Sequence, residues 1–230
     1  MLRALVEIGI LFLCVLLVLI PSWRQLGAER RLPWLSLGLR WLLTSAVLAY
    51  MALWLPGGIA ISGLQPPEWG GVASGLLLGL ASILAFPLVQ GLSRRAFGGR
   101  SDSDAAFTRG LRRMLARPFW LRVLLVLTAA GFEEIVFRGF PIPRLTNAGV
   151  PLWLAVMVPL LFFTLVHLPF WGRAHLATVA FYGLIYSLVF VLLGNLNITI
   201  LAHAMLDGFG FLILPVLMKR RLAGESEPPG

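Results

Sequence analysis

Seven apolar runs constrain this 230-residue chain more than any other feature of its sequence. Several of them exceed the roughly 18 apolar residues that indicate a membrane-spanning helix. Hydrophobic residues make up 59% of the chain and charged residues only 13%, a balance that excludes a soluble domain of this size. The sequence therefore predicts an all-α, polytopic integral membrane protein with about seven transmembrane helices. The runs lie at residues 4–21, 34–56, 70–92, 119–145, 150–169, 175–193 and 196–217.

Basic residues between the apolar runs predict how the chain crosses the membrane. They concentrate at residues 22–33, at 93–118 and after the last run, whereas the loop at 57–69 contains no Lys or Arg. The positive-inside rule explains this alternation and places the C-terminus in the cytoplasm. It also accounts for the net charge of +9, so we expect the lipid bilayer as a partner and no nucleic acid.

The basic connection at 93–118 also contains apolar residues at near-helical spacing. This pattern favours an amphipathic helix on the cytoplasmic face over a solvated basic loop. The residues concerned are Ala105, Phe107, Leu111, Met114 and Leu115.

Residues 131–140 interrupt the fourth apolar run with charge. They read Gly-Phe-Glu-Glu-Ile-Val-Phe-Arg-Gly-Phe and include Glu133, Glu134 and Arg138. Glu134 and Arg138 share a helix face and can form an ion pair, which indicates a structural role for both. Glu133 points about 100° away and has no partner in its own helix. Because a lone carboxylate at membrane depth costs roughly 3 kcal/mol or more, it marks a functional site.

Three further ionisable residues occur in later apolar runs. His167 ends the sequence Phe163-Thr-Leu-Val-His, and His203 and Asp207 lie four residues apart in the seventh run, on one helix face. Since ionisable groups in hydrocarbon must meet a partner, we expect a single polar cluster inside the bundle. Its members would be Glu133, Glu134, Arg138, His167, His203 and Asp207.

Other polar residues have simpler interpretations. His175, which follows Trp171 and Arg173, is expected at the membrane interface. Asn195 and Asn197 precede the last helix and are expected as turn and cap residues. The single cysteine, Cys14, excludes an internal disulfide.

The chemistry of the predicted cluster fits hydrolysis in two ways. A carboxylate near an imidazole can take a proton from water and return it to a leaving amine. Alternatively, a Zn²⁺ ion bound by carboxylate and imidazole groups could acidify a water molecule, although the chain has no His-Glu-x-x-His motif. The residues alone leave both mechanisms open.

The three motifs together resemble those of the CPBP intramembrane proteases. This family includes type II CAAX prenyl endopeptidases and bacteriocin-processing or self-immunity (Abi) proteins. Its members carry Glu-Glu-x-x-x-Arg, Phe-x-x-x-His and His-x-x-x-Asn/Asp, in that order, on separate transmembrane helices. The resemblance covers roughly residues 119–217. It divides the chain into N-terminal transmembrane helices with the basic connection (1–118), a CPBP-like catalytic core (119–217) and a disordered polar tail (218–230).

The resemblance implies a role for each residue of the cluster. Glu133 and His167 would activate the attacking water, and His203 with Asp207 would stabilise the oxyanion. Glu134 and Arg138 would be structural. A zinc ion, if the reaction uses one, would be bound by Glu133, His167, His203 and Asp207. Asp207 stands where many relatives have Asn, and an ionised carboxylate would repel an oxyanion, so orientation of His203 or metal binding is the role we expect for it.

The function implied is hydrolysis of a peptide bond in a membrane-associated substrate, prenylated or leader-bearing, in a bacterial inner membrane. Two alternatives use the same buried charges. One is a non-catalytic membrane scaffold or bacteriocin self-immunity factor that binds a partner in the cavity. The other is a proton-coupled transporter, for which we see no internal repeat.

Overall fold

The computed structural model describes residues 1–24, 33–97, 111–112, 114–168 and 173–218. Most of the predicted amphipathic segment and nearly all of the polar tail lie outside these residues. Within them the chain forms α-helices, one 3₁₀ turn at Gly58–Ser62 and two π-helical segments, and no strand. The α-helices are α1 (Leu2–Arg24), α2 (Pro33–Trp54), α3 (Trp69–Phe97), α4 (Phe119–Glu134), α5 (Pro141–Thr146), α6 (Leu152–Val166), α7 (Arg173–Leu193), α8 (Leu196–Gly208) and α9 (Leu214–Leu217).

All seven predicted apolar runs are helical, which confirms the all-α polytopic fold. Among the described residues, five helical stretches are long and apolar enough to cross a membrane. The fifth run forms the shorter apolar helix α6, of 15 residues. The five stretches are Leu2–Leu19, Trp34–Trp54, Trp69–Phe97, Arg173–Leu193 and Leu196–Leu217.

The fourth and seventh runs are not the regular helices that their hydropathy predicts. Each widens into a π-helical segment, Ile135–Gly139 in one and Phe209–Ile213 in the other. A proline follows each segment within two residues, Pro141 and Pro215. Inside a helix a proline lacks an N–H donor and crowds the carbonyl four residues earlier. The first segment begins immediately after Glu134 and the second begins two residues after Asp207; π segments are frequent at functional sites.

Glycines on α3 let it pack closely against α8, the helix that carries His203. Gly71, Gly75 and Gly79 recur every fourth residue and face α8. A Cβ atom at Gly75 would lie 3.1 Å from the Cβ of Leu201 and 3.2 Å from the carbonyl oxygen of Ile198. Small residues at this spacing allow helix backbones to approach in membranes, so this face determines where α8 stands.

Two sets of contacts attach the N-terminal helices to the rest of the bundle. Glu7 on α1 accepts hydrogen bonds from Tyr50 on α2 (2.7 Å) and from Arg144 on α5 (2.5 Å). On α2, the Trp41 indole donates to Thr128 of α4 (3.2 Å). Below it, Trp34 stacks on Trp120 with ring centroids 5.5 Å apart. The first two helices therefore form one wall of the bundle.

We expect Gly75→Leu to displace α8 and to lower the thermal unfolding midpoint in detergent, because the new side chain meets backbone as well as Leu201. Gly91→Leu is the matched control on the same helix, since a Cβ at Gly91 meets nothing within 4 Å. Equal midpoints for the two variants would contradict close α3–α8 packing.

Candidate active site

The structure brings all six residues of the predicted cluster together. They come from α4, the π segment that follows it, the residue after α6, and α8. Five of them line a cavity of about 290 Å³: Glu133, Arg138, His167, His203 and Asp207. The sixth, Glu134, is fully buried behind that wall.

Glu133 lies between the two histidines of the cluster. Its Oε2 is 3.7 Å from Nε2 of His167 and 3.8 Å from Nε2 of His203. Both distances exceed those of direct hydrogen bonds. They are in the range at which a water molecule can bridge polar groups. Three groups able to bind or exchange a proton therefore surround one point at the cavity wall.

The hydrogen bond made by His167 determines which of its nitrogens carries a proton. Its Nδ1 lies 2.7 Å from the carbonyl oxygen of Phe163, one helical turn earlier. A carbonyl can only accept, so Nδ1 is the donor, and in the neutral ring Nε2 is then the acceptor. That acceptor is the nitrogen 3.7 Å from Glu133. The local Phe-x-x-x-His spacing thus presents a basic nitrogen to the cavity.

His203 is oriented by Glu134 rather than by Asp207. Its Nδ1 lies 2.8 Å from Oε1 of Glu134, whereas its Nε2 is 3.6 Å from Oδ2 of Asp207. Only the first distance is that of a direct hydrogen bond. From the sequence we expected Asp207, four residues away on the same helix, either to orient His203 or to bind a metal ion. The bond to Glu134 spans 69 residues, and no local spacing indicates it.

Arg138 forms the ion pair with Glu134 that their spacing indicates, with Nη1 2.6 Å from Oε1. It also donates to Ser187 (3.3 Å) and to the carbonyl of Gly183 (3.2 Å), both on α7. Its guanidinium lies over the ring of Phe163, 4.9 Å from the centroid. Arg138 therefore ties α7 and α6 to the carboxylate that holds His203.

Of the other polar residues, Asn195 lies where the sequence predicts and His175 does not. Asn195 caps α8, and its side chain accepts from the backbone of Asn197 at 3.0 Å. His175 was expected at the interface but lines the cavity, with Nδ1 3.2 Å from Oε1 of Gln90. Gln90 also accepts a hydrogen bond from Thr178 (2.8 Å). Gln90, His175 and Thr178 therefore form a second group of polar side chains, between α3 and α7.

The four residues expected to bind zinc are not arranged as a ready metal site in this structure. In the described part of the chain, no three His, Cys, Asp or Glu side chains are placed to hold one together. Glu133 approaches both histidines, but Asp207 approaches only His203. Nδ1 of each histidine is engaged, by Phe163 and by Glu134 respectively, so only Nε2 of each ring faces the cavity groups; such a bond on the other ring nitrogen is compatible with a metal ligand.

The sequence interpretation missed one charged residue of the cavity, Arg40 on α2. It interrupts the second apolar run, between Leu39 and Trp41. An ionisable residue in a membrane helix indicates function by itself, so the signal was present in the sequence.

Comparison with known proteins finds a family model that matches the part of the chain containing the cluster. Residues 115–209 match the family model described as type II CAAX prenyl endopeptidase, Rce1-like. The match includes all six residues of the cluster and confirms the resemblance that the three motifs predict. Helices α1 to α3 lie outside the matched residues. No curated protein and no solved structure gives a match.

We expect Arg138→Met to lower the free energy of unfolding by about 3–5 kcal/mol, because it leaves the buried Glu134 carboxylate without its cation. Titration with a denaturing detergent in mixed micelles measures the change. Arg95→Met, at an exposed position, is the control and should cost no more than about 0.5 kcal/mol. Adding Glu134→Gln to Arg138→Met should recover part of the loss, since it removes the unpaired charge. Losses that simply add in the double variant would contradict this coupling.

Proposed function

The Rce1-like match spans the whole polar cluster, and from this we propose that the protein is an intramembrane endopeptidase. It would hydrolyse a peptide bond of a membrane-associated protein or peptide. The observation that carries the proposal is the position of Glu133, 3.7 and 3.8 Å from the Nε2 atoms of two histidines at a cavity inside the bundle.

In the proposed first step, a water molecule binds between Glu133 and His167. Its oxygen attacks the carbonyl carbon of the substrate, and its proton passes to Oε2 of Glu133 or to Nε2 of His167. The tautomer of His167 supports this role, because the bond from Nδ1 to Phe163 leaves Nε2 free to accept. A positioned base of this kind typically contributes about 10²- to 10⁴-fold to the rate.

His203 would stabilise the oxyanion that forms on the carbonyl oxygen. When protonated, its ring donates from Nδ1 to Glu134 and from Nε2 to the oxyanion. The 2.8 Å bond to Glu134 holds the ring in place before the reaction, and preorganised donors of this type are the most effective. Asp207, 3.6 Å from Nε2, would interact with that nitrogen in the resting site through a bridging water.

In the last step the carbon–nitrogen bond breaks. The base that took the proton from water returns it to the leaving amine, so Glu133 and His167 end in their starting states. The products are a new carboxyl terminus and a new amino terminus. This sequence needs no co-reactant other than water.

The rest of the cavity supports an apolar substrate segment. Much of its wall is formed by apolar side chains on α3, α4, α8 and the second π segment, among them Phe86, Leu125, Leu206 and Phe209. A prenylated or leader-bearing peptide would present such a segment to the cavity. The loop charges support a C-terminus in the cytoplasm, and the proposed location in a bacterial inner membrane rests on the family resemblance alone.

We expect Glu133→Ala to abolish cleavage without changing membrane insertion, because it removes the carboxylate nearest both histidines. Mass spectrometry of peptide termini compares membranes of cells expressing the wild type and the variant. Termini that require the wild type would establish proteolysis and identify the substrate. Glu133→Gln, which preserves shape, should behave the same way, and Glu68→Ala, at an exposed position, should retain the termini.

Identical termini in wild-type and Glu133→Ala membranes, with equal insertion, would contradict the proposal. That result would favour the scaffold or self-immunity alternative. Proton flux through reconstituted wild-type protein would instead favour a transporter.

In the proposed reaction Glu133 and His167 activate the water, and no step requires a metal ion. We therefore expect purified protein treated with a strong chelator, and then transferred to metal-free buffer, to retain its rate on the identified substrate. Elemental analysis of the treated sample provides the control for metal removal. Loss of activity that stoichiometric Zn²⁺ restores would contradict the metal-free mechanism and assign Glu133, His167, His203 and Asp207 as ligand candidates.

A further inference from the structure

Arg40 lines the cavity but lies outside the residues that the family model matches. It lies on α2, within the membrane span Trp34–Trp54, and lines the same cavity as Glu133 and His203. The matched residues begin at 115, so the motifs of the family do not account for Arg40. Its role has to be found in its own contacts.

The guanidinium of Arg40 has few partners in the protein. Its Nε is buried and makes no hydrogen bond. Among the described residues, its side chain has one defined contact, with the ring of Phe132, whose centroid is 5.7 Å from Cζ. Glu133 acts on it electrostatically without forming an ion pair. A guanidinium carries five donors and no acceptor, and leaving it unpaired at membrane depth is costly.

The surroundings hold Arg40 in place beside the reacting groups. The next residue, Trp41, donates a hydrogen bond to Thr128 of α4. Trp34, also on α2, stacks on Trp120 of α4. Phe132, against which the guanidinium lies, directly precedes Glu133. A group bound to Arg40 would therefore be held close to the proposed water site.

We propose that Arg40 is a substrate-binding residue that pairs with a carboxylate of the peptide. The proposal rests on the proposed peptidase activity. The planar fork of a guanidinium matches a carboxylate, with two parallel hydrogen bonds. A singly charged carboxylate also suits a position near Glu133 better than a doubly charged phosphate would. The carboxylate is either the C-terminus of the substrate or an acidic side chain near the cleaved bond.

The test uses synthetic peptides that span the cleavage site identified by the comparison of termini. One peptide keeps all its carboxylates, a second carries a C-terminal amide, and a third has its Asp and Glu residues replaced by Asn and Gln. Full-length protein in lipid nanodiscs is assayed with each peptide, as wild type and as Arg40→Gln. Arg122→Gln is the matched control, because Arg122 lies on α4, bonds to the carbonyl of Phe211 and is not part of the cavity wall.

For the wild type we expect KM to rise roughly 10- to 100-fold for one of the two neutralised peptides, as for loss of a hydrogen bond to a charged group. Which peptide shows the rise identifies the source of the carboxylate. Arg40→Gln should raise KM for the unmodified peptide by a similar factor and should no longer distinguish it from its neutral form. Arg122→Gln should keep the wild-type preference.

Four distinct results would overturn the proposal. Equal KM values for all peptides with the wild type would show that no carboxylate is bound, while the peptidase activity stands. A preference that survives in Arg40→Gln would assign the carboxylate to another residue. An equal fall of kcat for every peptide in Arg40→Gln, with a shifted pH profile, would make Arg40 a positioning residue for Glu133. Absence of any wild-type-dependent terminus removes the peptidase function itself and this inference with it.

Discussion

The hydrogen bonding of one buried carboxylate, Glu134, underlies the arrangement of the whole site. Its Oε1 accepts from Arg138 at 2.6 Å and from His203 at 2.8 Å. Through Arg138 it is linked to Ser187 and Gly183 on α7. Because a buried charge must be compensated, this carboxylate holds three separate segments in a fixed relation. Glu133, the next residue, is thereby left facing the cavity.

The apolar parts of the bundle set the positions at which those polar groups meet. The glycine face of α3 brings α8 close, and two π-helical segments adjust the chain next to the acidic residues. Hydrocarbon surroundings offer no competing water for the charged groups, so a polar cluster inside the bundle is the arrangement of lowest cost. Helix packing and the polar cluster therefore support one another, and neither alone would place His203 beside Glu133.

The first two helices contribute more than apolar bulk. Glu7 joins α1 to α2 and α5 through Tyr50 and Arg144, and Arg40 adds a cation to the cavity. Glu7, Arg40 and Tyr50 lie outside the family match, whereas Arg144 lies within it. The matched residues carry the groups proposed for the chemistry, while the N-terminal helices complete the wall against which a substrate would lie. A substrate bound there would then contact helices that the family match does not include.

The sequence by itself determined the membrane-embedded helical fold, the ion pair of Glu134 with Arg138 and the membership of the polar cluster. Each follows from local spacing or from the cost of charge in hydrocarbon, both of which can be read along the chain. Only the tertiary structure decided that Glu134 rather than Asp207 orients His203, that His175 lines the cavity and that Arg40 faces it. Those contacts join different helices, and their geometry depends on how closely the helices pack. The glycines of α3 bring α8 close, and no short-range pattern in the sequence predicts which residues of different helices then meet.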